Sequence, residues 1–130
     1  MPGFELIDKK EKAELNKIFT KSNGVMFAHG FENLRNNNYL VRRFEKKVCK
    51  KLNVKYCLAT TSGTMAQYIA MKALGIKTGD QVITQSFTFV ATVEAILALG
   101  AKPVILNVDK TLNMDLNELK KRINKKTKII

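Results

Sequence analysis

The stretch "QVITQSFTFVATVEAILALGAKPVILNV", residues 81–108, decides the fold. It opens on the β-branched run Val82, Ile83 and Thr84, passes through Ser86 to Thr88, and becomes an apolar helical pattern over 89–99. "LGAKP" then turns the chain into a second apolar run, "VILNV". Strand, helix and strand in this order make a βαβ unit, because the helix carries the chain back to the same edge and leaves the two strands parallel. A parallel sheet of this kind is covered on both faces.

Upstream, "KYCLAT" (55–60) reads as a strand, 65–75 as a helix and "KTGD" (77–80) as a turn. Downstream, Asp115 and Glu118 stand at the spacing of a capping box for a helix through about Ile123, and "KTKII" (126–130) begins a fourth strand. The class is α/β, with parallel βαβ units preceded by two helices. The first of those helices follows Asp8 and Glu11, a second capping-box pair, with Leu15, Ile18 and Phe19 on one face. The other runs from about Tyr39 to Leu52, with Leu40, Val41, Phe44, Val48 and Leu52 three or four apart. Between them "SNGVMFAHGFENLRNNN" (22–38) has no sustained period and reads as loop. The chain therefore divides into an N-terminal helical segment with its loop, 1–54, and the first part of a larger α/β domain, 55–130. Ile129 and Ile130 read as the start of a buried strand with nothing after them to cover it, so the expectation is a fragment of a longer protein.

Composition narrows the function classes. At 130 residues and 45% hydrophobic content the chain can bury a core. The formal net charge of +12 is spread, mostly as Lys, over the polar faces of the predicted helices, which argues for a solvated surface and against a nucleic-acid partner. No apolar run approaches the roughly 18 residues of a membrane span, and the expectation is a cytoplasmic protein with no membrane partner. Cys49 and Cys57 show no metal-ligand or redox spacing and read as free thiols.

The chemistry sits where strands become helices. Thr61, Ser62, Gly63 and Thr64 occupy the first such junction. A helix start offers unpaired amides and the positive end of the helix dipole, and a glycine lets a ligand approach the backbone, so the junction suits a phosphate. The same hydroxyls also suit a plain helix cap. Neither GxGxxG nor GxxxxGK[ST] is present. At the second junction Phe87 and Phe89 flank Thr88, at the strand end where open α/β sheets bind ligands. Two core phenylalanines fit equally well; an aromatic shelf beside a phosphate cradle describes a flat phosphorylated ring.

With these residues the chain resembles the DegT/StrS family of sugar aminotransferases, pyridoxal-phosphate enzymes of fold type I. The resemblance rests on "RRFEKK" (42–47), "TTSGTMA" (60–66), "GIKTGDQVITQSFTFVATVEAILALGAKPV" (75–104), "LNMD" (112–115) and "NKKTKII" (124–130). It implies that pyridoxal 5'-phosphate is the cofactor, that Gly63 and Thr64 hold its phosphate, that Ser62 supports the turn and that Phe89 stacks on the ring. It places the family's Schiff-base lysine and the aspartate facing the ring nitrogen beyond Ile130, so no catalytic residue is assigned among the 19 lysines here. It also implies a keto-sugar substrate, glutamate as amino donor and a homodimer at full length.

The opening "MPGFELIDKKEK" (1–12) is most similar to a branch that includes 8-amino-3,8-dideoxy-manno-octulosonate transaminases of lipopolysaccharide synthesis. In the loop where family members build the substrate end of the pocket, His29 and Arg35 are candidate substrate contacts, and an ordinary loop role fits both as well. Two other functions remain open: a pyridoxamine-phosphate sugar dehydratase of the same family, with His in place of the lysine, and a non-catalytic α/β module binding another anion at Gly63 and Thr64.

Overall fold

The computed structural model describes residues 6–21, 23–26, 30–35 and 38–130. The chain forms two compact units, Met1–Ala59 and Thr60–Ile130.

In the first unit, helix α1 spans Lys9–Lys21 and helix α2 spans Leu40–Leu52. The Glu11 carboxylate accepts the Asp8 amide at 2.9 Å, and the Asp8 carboxylate accepts the Lys10 amide at 2.7 Å. The capping box at α1 is therefore made, with the Asp8 bond one residue earlier than usual. Helix α2 ends on Asn53, whose left-handed conformation (φ 52°) turns the following amide, of Val54, back to the Cys49 carbonyl at 3.0 Å. The chain then doubles back, and the Ala59 amide donates to Glu45 Oε1 at 2.8 Å, about one turn before Cys49.

That return corrects one expectation. Residues 55–60 pair with no strand among the described residues. A strand exists only as part of a ladder, and here a helix side chain takes the Ala59 amide instead.

The second unit runs α3 Gly63–Ala73, β1 Gln81–Gln85, α4 Val90–Ala98, β2 Lys102–Leu106, α5 Leu116–Arg122 and β3 Thr127–Ile129. Strand β1 is central, with β2 and β3 parallel to it on either side. Gln81 faces Lys102 in register through to Gln85 and Leu106, while the β3 pairing is interrupted by a register shift between Gln81 and Val82. Because successive strand side chains alternate faces, Val82 and Ile83 enter different cores. Val82 packs with Met71 of α3 and Ala95 and Ile96 of α4, whereas Ile83 packs with Val104 and Leu106, backed by Met114, which precedes α5, and by Leu119 of α5. Helices thus cover both sheet faces, which is the α/β architecture read from the βαβ pattern.

The turn after α4 closes tightly. Gly100 has φ +71° and accepts the Gly79 amide on its carbonyl, and a Cβ on it would lie 2.7 Å from Thr78 Oγ1. Strand β2 begins two residues before "VILNV" and stops at Leu106. The next amide, of Asn107, leaves the ladder for Glu118, and Val108 makes an antiparallel bridge to Met114. As a result the capping box at α5 is only half made. Asp115 accepts the amides of Asn117 and Glu118, but the Asp115 amide goes to the Asn107 carbonyl. None of the described helices is long and apolar enough to cross a membrane.

Candidate functional site

Ser62 caps α3: its backbone is extended and its hydroxyl accepts the Met65 amide at 3.1 Å. The Ala66 amide goes to the Ser62 carbonyl at 3.0 Å, and that carbonyl also receives the Thr60 hydroxyl at 2.9 Å. The two amides left over, those of Gly63 and Thr64, meet no acceptor among the described residues. The first turn of α3 carries no acidic side chain and the last turn carries Lys72, so nothing on the helix competes with an anion at its start.

Gly63 is required by neither backbone nor packing. Its φ is not positive, and a Cβ there would meet nothing within 4 Å. The open space in front of two free amides is what a phosphate oxygen would fill, so this junction fits the phosphate of the implied cofactor. Ser62 and Thr64 also line a groove of about 320 Å³ between α3 and α4, together with Met65, Tyr68, Glu94 and Ala95.

The second junction carries the two aromatics, Phe87 and Phe89. Phe87 is 61% and Phe89 78% exposed, so neither ring is buried by this chain. Phe89 is the N-cap residue of α4, with its ring free to meet a planar group. The Gln85 amide nitrogen donates to the Phe87 carbonyl at 2.8 Å and steadies the turn. The two junctions are linked: Gln67 of α3 donates to the Thr92 hydroxyl at 3.4 Å, and the Thr92 and Thr88 hydroxyls lie 3.2 Å apart. Sequence reading missed this chain, although Thr88 and Thr92 stand one helical turn apart and Gln67 one turn into α3.

In the first unit, Arg35 is buried with Nε and Nη2 lacking any acceptor, and the Tyr39 hydroxyl is likewise buried without one. The Arg35 guanidinium lies 4.8 Å and that of Arg42 4.1 Å from the centre of the Tyr39 ring. Burial, and then the nearby Glu32 carboxylate, push the Tyr39 hydroxyl above its usual pKa. The Glu32 carboxyl is held below its usual range, first by its own backbone amide, then by Tyr39 and the two arginines. Glu32 is within electrostatic reach of the hydroxyl without meeting it in hydrogen-bond geometry. The candidate His29 lies outside the described residues.

Comparison with known proteins agrees with the fold. Residues 25–130 match the DegT/DnrJ/EryC1/StrS aminotransferase family. The GDP-perosamine synthase of Vibrio cholerae is 41% identical over 91 residues, which cover 69% of this chain and 25% of the relative. The UDP-2-acetamido-2-deoxy-3-oxo-D-glucuronate aminotransferase of Pseudomonas aeruginosa is 40% identical over 102 residues, covering 75% and 28%. The crystal structure of Bacillus subtilis ntda with bound cofactor PMP superposes with a TM-score of 0.77 at 31% identity, over 95% of this chain and 27% of that one. The chain thus spans about a quarter of the length of these relatives. With its matched residues running through both helix junctions, the chain belongs to the DegT/DnrJ/EryC1/StrS aminotransferase family.

Proposed function

We propose that the protein carrying this chain is a pyridoxal-phosphate-dependent aminotransferase acting on a keto sugar in cell-surface polysaccharide synthesis, with glutamate as amino donor. The observation that carries the reading is the pair of free amides at Gly63 and Thr64, in a family whose members include an aminotransferase of an oxo-glucuronate and a structure holding PMP. The amides of Gly63 and Thr64 and the Thr64 hydroxyl would hold the phosphate. Ser62 fixes the turn through the Met65 amide, and the exposed Phe89 ring would lie against the cofactor ring. When bound, pyridoxal phosphate supplies the electron sink for amino-group exchange. The chain's own contribution is to bind and orient it.

Arg35 and His29 are proposed substrate contacts, Arg35 for an acidic sugar. A homodimer in the cytoplasm, with no nucleic-acid or membrane partner, completes the reading. The name of the oxo-glucuronate aminotransferase supports a sugar-acid substrate, and that of the perosamine synthase supports a nucleotide-linked one.

The test is a titration of the protein with pyridoxal phosphate and with pyridoxal, followed by cofactor absorbance. A preference for the phosphorylated form that Gly63→Val removes, with the thermal unfolding temperature unchanged, supports the cradle. Equal binding of both forms by the unaltered protein overturns it. Product analysis with glutamate and a nucleotide-linked keto sugar then reads the reaction: an amino sugar supports transfer, and a deoxy sugar without nitrogen identifies dehydration.

A further inference from the structure

Arg35 is 3% exposed, and its two unpaired nitrogens, Nε and Nη2, are the pair that carry parallel N–H bonds along one edge of the guanidinium. That edge matches two oxygens of a carboxylate or phosphate. Leaving a buried guanidinium unpaired is among the costliest arrangements in a folded protein, and such groups are ordinarily matched. The Tyr39 hydroxyl is also a buried donor without an acceptor, and Tyr39 is in ring contact with this guanidinium. A second cation, Arg42, sits over the same ring. Unpaired donors and positive charge thus converge on one spot.

The backbone around it is set with some strain. Gly30 (φ 77°) and Phe31 (φ 58°) are both left-handed, a conformation that an aromatic residue rarely takes. The amides of Leu34 and Arg35 both reach the Phe31 carbonyl, and the Asn38 amide reaches the Arg35 carbonyl, so the turn presents Arg35 to the start of α2. Glu32, the acidic neighbour on this turn, lies close by and still leaves the Arg35 edge unpaired.

We infer that Arg35 and Tyr39 form a receptor for a small oxyanion, with the Nε/Nη2 edge of Arg35 gripping two oxygens and the Tyr39 hydroxyl donating to the group. Because the edge is closed to solvent, the turn at 30–35 shifts to admit the anion. The oxyanion has two chemical sources, the carboxylate of a sugar acid or the phosphate of a nucleotide. Only this choice of sources rests on the aminotransferase reading, since binding here requires no cofactor.

The experiment is calorimetric titration of the cofactor-free protein with D-glucuronate, inorganic phosphate and UDP, with glucose as neutral control. In parallel, the arginine Nε–H signals of the four arginines are followed by NMR. Saturable binding of an oxyanion but not of glucose, with movement of the Arg35 signal, is expected. Arg35→Lys keeps the charge, loses the fork and abolishes saturation; Tyr39→Phe keeps the ring and weakens binding about tenfold. Arg122→Lys leaves binding intact. Glucuronate alone identifies a sugar acid, and phosphate with UDP identifies a nucleotide. The inference is overturned by absence of saturable binding, by affinity unchanged in Tyr39→Phe, or by a Glu32→Gln protein whose Arg35 signal moves to the anion-bound position before any anion is added, which makes Glu32 the acceptor. Loss of pyridoxal phosphate binding in Gly63→Val leaves this result unaltered, so the two readings fail separately.

Discussion

The Asn107 amide donates to the carboxylate of Glu118 at 2.7 Å, so the third residue of α5 fastens the end of β2 instead of closing its own helix start. The bond joins a strand end to the helix that covers the Ile83 face of the sheet. Glu118→Ala removes it and is expected to lower stability by about 1 kcal/mol. Glu118→Gln keeps a carbonyl acceptor and loses less. Urea unfolding of the two variants checks the order; equal losses would show that the carboxylate matters only as a charge.

Stability and phosphate binding should part company at the start of α3. Gly63→Ala meets open space with a compatible backbone, so it should raise stability by about 0.4–1 kcal/mol while hindering approach of a phosphate to the amides. Ser62→Ala loses the bond to the Met65 amide and should lower stability by about 1 kcal/mol. Thermal unfolding paired with pyridoxal phosphate titration separates them, because a destabilised Gly63→Ala would contradict the open space at that position.

Gly100 and Gly75 both have positive φ, and only the first is crowded. Gly75→Ala should cost about 1 kcal/mol for the left-handed backbone alone. Gly100→Ala adds a Cβ 2.7 Å from Thr78 Oγ1 and should cost clearly more. A Thr78→Ala background should bring the two costs together, as a double-mutant comparison would reveal.

Asp109 provides a pH signature. The Thr111 hydroxyl and amide, with a smaller contribution from the Asn113 amide, hold its carboxyl below the usual aspartate range. A depressed folded pKa stabilises the fold above the unfolded value of about 3.9, and that contribution disappears as pH falls through the folded value. Asp109→Asn should therefore flatten the acid limb of a stability profile, and Thr111→Val should move the Asp109 titration back upward. An unchanged NMR titration of Asp109 in Thr111→Val would contradict the assignment.

The βαβ core was readable because its signals are local. Val82 to Thr84 form a β-branched run, 89–99 keep a helical period, and Ser62 precedes Gly63 and Thr64 at a recognisable helix start. What stayed hidden depends on partners distant in the chain. Residues 55–60 have strand-like composition, yet pairing is a property of two segments. Glu118 has capping-box spacing, but an amide 11 positions away claims it. Phe87 and Phe89 resemble core residues because hydrophobicity alone cannot show which face will be covered. The cluster of Arg35 and Tyr39 joins an aperiodic turn to a helix start, and no spacing rule announces it.

The order β2-β1-β3 also has a temporal meaning. Gln81 meets Lys102 after 21 positions and Thr127 only after 46, so closing the second loop costs about 0.7 kcal/mol more in chain entropy. It also recruits a strand of three residues against one of five. The segment from β1 through α4 to β2 is therefore expected to form first, with β3 zipping on afterwards. In hydrogen exchange the β3 amides should open first, while the amides shared by β1 and β2 persist until the whole unit unravels.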